Sequence, residues 1–377
     1  MAGCIWQVQS KAKDINGILG DLSAGFAGEP ICLLILYFSP RDDAAALAAA
    51  VTQAFAPTPV IGCSTAGEIG CCGYGRDGLV AIGLGGPDFT ASCALISNLS
   101  LNGTEQTQAA LAGMLEAGRK PPAGWRRFAL TLFDGFSLRE EQLSSAIHAV
   151  LGDIPVCGGS AGDGLRMEQS DILFDGRPHR DCVIVALVTT SRPLHVFKTE
   201  HFLPSAERVV ITGALAEQRI VTEINGRPAA SEYARLIGCP RQDLNTVRFA
   251  RHPLMVRVGG RNFVRSILQA RDDDSLRFAC AIDVGLVLRL ANPVAMAASL
   301  SQQFADIRQR IGPPELVLGF DCILRRLELE DKGELETAGA IMAANHVVGF
   351  STQGEHFQGM HINQTFTGIA LGYGAAP

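Results

Sequence analysis

The apolar positions of this chain fall into a pattern that occurs three times. Residues 31–38 form a continuous apolar run, as expected of a strand covered on both faces. Ser39-Pro40-Arg41-Asp42 follows and predicts a helix through Phe55, with proline in its first turn and acid at the positive end of its dipole. Pro57 and Pro59 stop that helix. Residues 59–63 then read as a short strand, 62–68 as a glycine-rich turn and 78–84 as a returning strand. The order recurs with strands at 128–134, 154–157 and 182–187. Here the helix covers 137–151, its Ser-Leu-Arg-Glu opening reading as a capping box, and the turn covers 158–164. The third occurrence has a strand at 315–321, a helical stretch ending near Asn345, a strand at 346–350, the turn Ser351 to Glu355 and a strand at 365–372.

A strand, a helix and a second short strand imply a βαβ crossover, hence parallel pairs within mixed sheets. Residues 193–291 differ in character, with β-branched stretches at 209–212, 219–224, 256–258 and 278–282 and a hairpin signal at Asn225-Gly226. The expected fold class is therefore mixed α/β (α+β). Its mixed sheets are flanked by helices and built from repeated strand–helix–strand–turn–strand units, with a strand-rich insert in the second half. Ser191-Arg192-Pro193 divides the expected domains, 1–192 and 193–377.

Composition narrows the function classes. With 47% hydrophobic and 19% charged residues, the 377-residue chain is too apolar to be disordered. A net charge of −6 argues against a nucleic-acid partner, which would require a basic stripe. No apolar run is long enough to span a bilayer, and the first residues lack a basic stretch followed by an apolar one, so neither membrane insertion nor a secretory leader is expected. The cysteines Cys32, Cys157, Cys182 and Cys280 sit singly in apolar strands, as reduced thiols do, and the expected location is cytoplasmic. Two-fold self-association is the default expectation for assembly.

The candidate chemistry lies in the three turns. Each holds a serine and an acid: Ser64 with Glu68, Ser160 with Asp163, Ser351 with Glu355. Were the repeats to pack around a pseudo-symmetry axis, these groups would meet and suit a small polar ligand such as an amino acid. Taken singly, they also serve as turn and cap residues. Gly158-Gly159-Ser160-Ala161-Gly162 additionally matches a nucleophile elbow, which makes a serine hydrolase through Ser160 a third reading. The glycine spacing drifts around Ser64 and Ser351 while the serine stays, which favours a repeated turn. Only the last copy carries histidines, His346, His356 and His361 of the chain's eight. On a strand, His361 would point away from its neighbours Met360 and Ile362. Cys71-Cys72 lacks the two-residue spacing of a zinc knuckle.

Taken in order, Gly62-Cys63-Ser64-Thr65-Ala66-Gly67-Glu68, the segment from Glu223 to Tyr233, His252-Pro253-Leu254 and the terminal Gly-Phe-Ser-Thr-x-Gly-Glu…Asn-Gln-Thr resemble the FIST family over nearly the whole chain. That family comprises two-part (FIST-N and FIST-C) sensory proteins. The stretch from Gly354 to Thr365 is similar to the NosP branch of haem-binding nitric-oxide sensors. The resemblance implies haem b, held non-covalently because no Cys-x-x-Cys-His is present, with His361 as axial ligand and His356 as second choice beside Phe357 and Met360. It implies nitric oxide as the signal and a histidine kinase or cyclic-di-GMP enzyme as a separate partner, with no catalysis by this chain. FIST proteins outside that branch imply instead a small metabolite such as an amino acid.

Overall fold

The computed structural model describes residues 4–99, 104–117, 121–258 and 260–374; the first three residues, part of the stretch read for a leader, lie outside them. The recurring unit is a four-stranded mixed sheet. In the first unit Ile31–Phe38 lies between antiparallel Leu79–Gly85 and parallel Val60–Ser64, with Ile5–Ser10 beyond Leu79–Gly85. The second unit repeats this order with Phe89–Ser97, Cys182–Thr190, Arg126–Phe133 and Val156–Ser160. The third does so with Leu194–Thr199, Phe366–Gly372, Pro314–Cys322 and Val347–Thr352. The fold is mixed α/β, with a parallel pair in each unit.

The continuous apolar runs follow from burial on both faces. Leu33, Ile35 and Tyr37 point into a core shared by all three units, with Phe128, Leu130 and Leu132 from the second and Leu316, Leu318 and Phe320 from the third. The alternate residues Leu34, Leu36 and Phe38 face the helices Ile15–Phe26 and Ala44–Ala54. Each unit is longer than its sequence pattern suggested, because Phe89–Ser97, Thr104–Ala117 and Leu194–Thr199 supply edge strands and a further helix.

The turns also continue beyond the residues read as turns. Each runs into a hairpin that leaves its own unit and adds two strands to a neighbouring sheet. Glu68–Gly70 with Gly73–Tyr74 pairs with Val347–Thr352. Ile172–Phe174 with Arg177–His179 pairs with Val60–Ser64. Glu355–Phe357 with Met360–Ile362 pairs with Val156–Ser160. The exchange is cyclic, so three sheets close around one axis. It also makes His356, which follows the residues read as a turn, a strand residue directly opposite His361.

The helical stretch before Asn345 is two helices, Ile323–Asp331 and Leu335–Ala343, parted at Gly333, whose φ of 68° suits glycine. The capping box expected at Ser137 does not form: Leu138 takes a φ of 57° and the helix begins at Glu140. The strand-rich insert is an eight-stranded sheet with its own apolar core, interrupting the third unit after Thr199.

Candidate functional site

The glycine two positions before each serine has a common cause. A Cβ on Gly62, Gly158 or Gly349 would lie 2.5, 1.9 or 1.7 Å from a carbonyl oxygen of the parallel neighbour strand, that of Leu36, Thr131 or Gly319. The serines then close a ring of backbone bonds. Ala66 N–H donates to the Ser351 carbonyl (3.0 Å), Gly162 to Ser64 (3.1 Å) and Gln353 to Ser160 (3.0 Å). The serine amides donate onward to Asp171, Gly354 and Gly67 at 2.7–2.9 Å. The three turns do meet, and their backbone groups satisfy one another.

Their side chains do not form the ligand site expected of them. Glu68 and Glu355 are buried and fold back on the threonine three residues earlier, Thr65 and Thr352. Burial pushes both carboxyls up, Glu355 to about 8. Asp163 is not their equivalent: it accepts the N–H groups of Met167, Glu168 and Gln169 within a longer turn, and Ile172 takes the matching strand position. Ser64 Oγ accepts from Asp171 N–H, and Ser351 Oγ is buried without a partner among the described residues.

The histidines are enclosed as well. His356 Nε2 is 2.8 Å from Ser160 Oγ and Nδ1 is 2.7 Å from Ser144 Oγ, and the ring stacks on Phe133 at 3.9 Å. Burial, with His361 nearby, keeps His356 neutral by holding it well below the usual imidazole range. His361 Nδ1 faces Glu141 Oε1 at 3.1 Å. Its Nε2 has no hydrogen-bond partner among the described residues but abuts Gly354, where a Cβ would lie 2.1 Å away. Phe357 and Met360 pack on the core of the insert. A haem needs an open imidazole nitrogen beside an apolar slot. His356 has both nitrogens engaged and His361 faces backbone, so these residues as arranged do not fit the group.

The Ser160–His356 pair has the spacing of a hydrolytic dyad, yet Ser160 is fully buried. The amides that could stabilise an oxyanion, those of Ala161 and Gly162, already bond Phe133 and Ser64. The group Glu140, Glu141 and His361 could converge on a cation, but the Arg219 guanidinium is there already, 2.7 Å from Glu140 and 2.6 Å from Glu141. Burial works against the Glu141 carboxylate; His361 and Arg219 outweigh it and hold it far below the usual carboxyl range.

Arg219 also reaches a cavity of about 580 Å³ between the second unit and the insert. It is lined from the second unit by Gly135, Phe136, Leu138 and Leu165–Glu168, from the third by Gln353, and from the insert by Arg219, Thr246, 268–269 and 277–279. Two features set it apart. Arg166 and Arg277 reach it as exposed side chains, with no ion pair among the described residues. In addition, Leu138 (φ 57°), Met167 (57°) and Arg219 (55°) all line it in the left-handed region. Of the other nine described non-glycine residues with positive φ, seven are Asp, Asn or His, the side chains that tolerate it best, and the remaining two are Gln358, in a hairpin turn, and Gln364. No local pattern marked these residues, which lie far apart in the chain.

No curated protein matches the chain. A cyanuric acid hydrolase is similar in structure only at a TM-score of 0.33 and 10% identity, over 97% of this chain and 99% of that one. The FIST N domain matches residues 32–227 and the FIST C domain residues 229–358. The protein therefore belongs to the FIST family, whose domains are signalling sensor domains.

Proposed function

We propose that this FIST protein is a ligand-binding sensor whose site is the cavity between the second unit and the insert. The observation that carries the reading is the convergence of Leu138, Met167 and Arg219, three strained residues of unsuitable type, on one cavity wall. Such strain costs about 1–3 kcal/mol per residue and concentrates at ligand clamps and switch segments. A volume of about 580 Å³ suits a small molecule. Arg166 and Arg277 favour a carboxylate, and Glu168 on the same wall can take an ammonium, which points to an amino acid or a related small acid. The protein binds without turnover and passes its state to a separate partner, a histidine kinase or cyclic-di-GMP enzyme in the reading that its resemblance supports.

A thermal-shift screen of amino acids and small carboxylates tests this. A ligand at 100 times its dissociation constant stabilises by about 2.7 kcal/mol, a rise of several degrees. Arg166→Ala with Arg277→Ala should abolish the shift, since both side chains are exposed and the fold does not depend on them. A hit whose shift survives that double substitution binds elsewhere and refutes the site. The haem and nitric-oxide reading requires His361 Nε2, unpartnered among the described residues and with Nδ1 on Glu141, to move away from the Gly354 backbone. Its test is a haem-reconstituted spectrum of wild type beside His361→Ala; identical spectra end it.

A further inference from the structure

Of the eleven cysteines, six are buried, three half-buried and two exposed, and the exposed two are adjacent: Cys71 and Cys72. They occupy the tip of the first unit's crossing hairpin, between Glu68–Gly70 and Gly73–Tyr74. The equivalent tips in the other units are Asp175-Gly176 (φ 49° and 75°) and Gln358-Gly359 (φ 48° and 80°), both central residues left-handed, as in the tight turns preferred by hairpins. At the first tip neither cysteine has positive φ, and the left-handed residue is Gly73 at 85°. This different turn leaves the two Sγ atoms 3.7 Å apart.

At that separation the two thiols are in S–H···S contact, which is compatible with some uses of a thiol pair and not with others. A disulfide requires sulfurs about 2.05 Å apart and Cα atoms usually 4.4–6.8 Å apart, whereas adjacent Cα atoms lie only about 3.8 Å apart. Two thiolates bound at about 2.3 Å to one tetrahedral ion stand about 3.7–3.8 Å apart. The turn is also held in place. A Cβ on Gly73 would lie 2.6 Å from the Gly339 Cα, so the turn rests on the backbone of the Leu335–Ala343 helix. The Gln9 carboxamide lies over Gly70, and its Oε1 accepts from Cys71 Sγ at 3.3 Å, which places an oxygen donor beside the sulfurs.

We propose that Cys71 and Cys72 form a surface dithiolate site for a thiophilic d10 cation of the zinc type. Gln9 Oε1 and water complete its coordination. Binding replaces two S–H bonds with two metal–sulfur bonds and releases two protons per ion, with no change of oxidation state. The pair lies where the first unit's hairpin meets the third unit, so occupancy ties that crossing contact to metal availability.

The test uses the full-length reduced protein, Zn²⁺ and a chromophoric chelator as competitor, with released protons followed by an indicator dye. Wild type should take up one Zn²⁺ that Cys71→Ser and Cys72→Ser each bind at least tenfold more weakly, with two protons released. Gln9→Ala should weaken binding a few-fold, and Cys239→Ser should leave it unchanged. Equal uptake by wild type and either serine variant overturns the proposal, as does wild type without stoichiometric uptake. Both cysteines are exposed, so the variants fold, and a circular-dichroism melt confirms it.

Discussion

Replacing Arg219 with methionine tests whether the second unit and the insert are joined by a buried ionic clamp. The side chain donates to the Ala279 carbonyl at 2.8 Å, Glu140 at 2.7 Å and Glu141 at 2.6 Å. Methionine keeps most of the stem volume and removes all three donors. The loss falls unequally, because the Glu140 side chain is 2% exposed and that of Glu141 27%. Glu141 also keeps His361 and the Ala281 N–H, whereas Glu140 becomes a buried carboxylate without its cation. Breaking a buried pair in this way costs about 3–5 kcal/mol, most of it the stranded charge. With a urea dependence of about 3 kcal/mol per molar or more for a chain of this size, the unfolding midpoint should fall by roughly 1 M. Arg219→Met combined with Glu140→Gln removes the stranded charge and should recover at least half of that loss, a coupling of about 1–3 kcal/mol. A single variant that loses less than about 1 kcal/mol, or a double variant no more stable than the single, refutes the clamp.

Two further outcomes follow from the fold. Gly349→Ala places a Cβ 1.7 Å from the Gly319 carbonyl and must part the two parallel strands of the third unit, at a cost above about 4 kcal/mol; a soluble variant melting like wild type contradicts the close approach. Burial drives the Glu355 carboxyl up to about 8, with Thr352 and Thr365 opposing and Asp321 reinforcing the shift. The folded protein thus keeps a proton that the unfolded chain releases near pH ~4.3. The contribution is complete below that pH and is lost as pH rises through about 8, with a slope of at most ~1.4 kcal/mol per pH unit. Glu355→Gln should flatten the fall of the urea midpoint between about pH 6 and 8.5, and an unchanged slope counts against a proton on Glu355.

Local chemistry made part of this molecule legible. The run at 31–38 and its counterparts are apolar without alternation because both faces are covered, and each strand–helix–strand order implied the parallel pair that forms. The serine shared by the three turns was legible while their glycines read as drifting; the constant one, two places before each serine, is explained only by the parallel strands' close approach. The partners of the three hairpins were decided only in the tertiary structure. Short stretches such as Glu68–Gly70 and Glu355–Phe357 carry no signal for which sheet edge they join, and joining a neighbour rather than their own unit closes the ring. That closure buries His356 between Ser144 and Ser160 and turns the expected cluster of acids into strand supports. The cavity was equally out of reach. Its walls come from residues as distant as Gly135 and Gln353, and the positive φ of Leu138, Met167 and Arg219 opposes their own preferences. Local propensity determined the strands and helices; the surroundings that hold those three residues against it exist only once the units have packed.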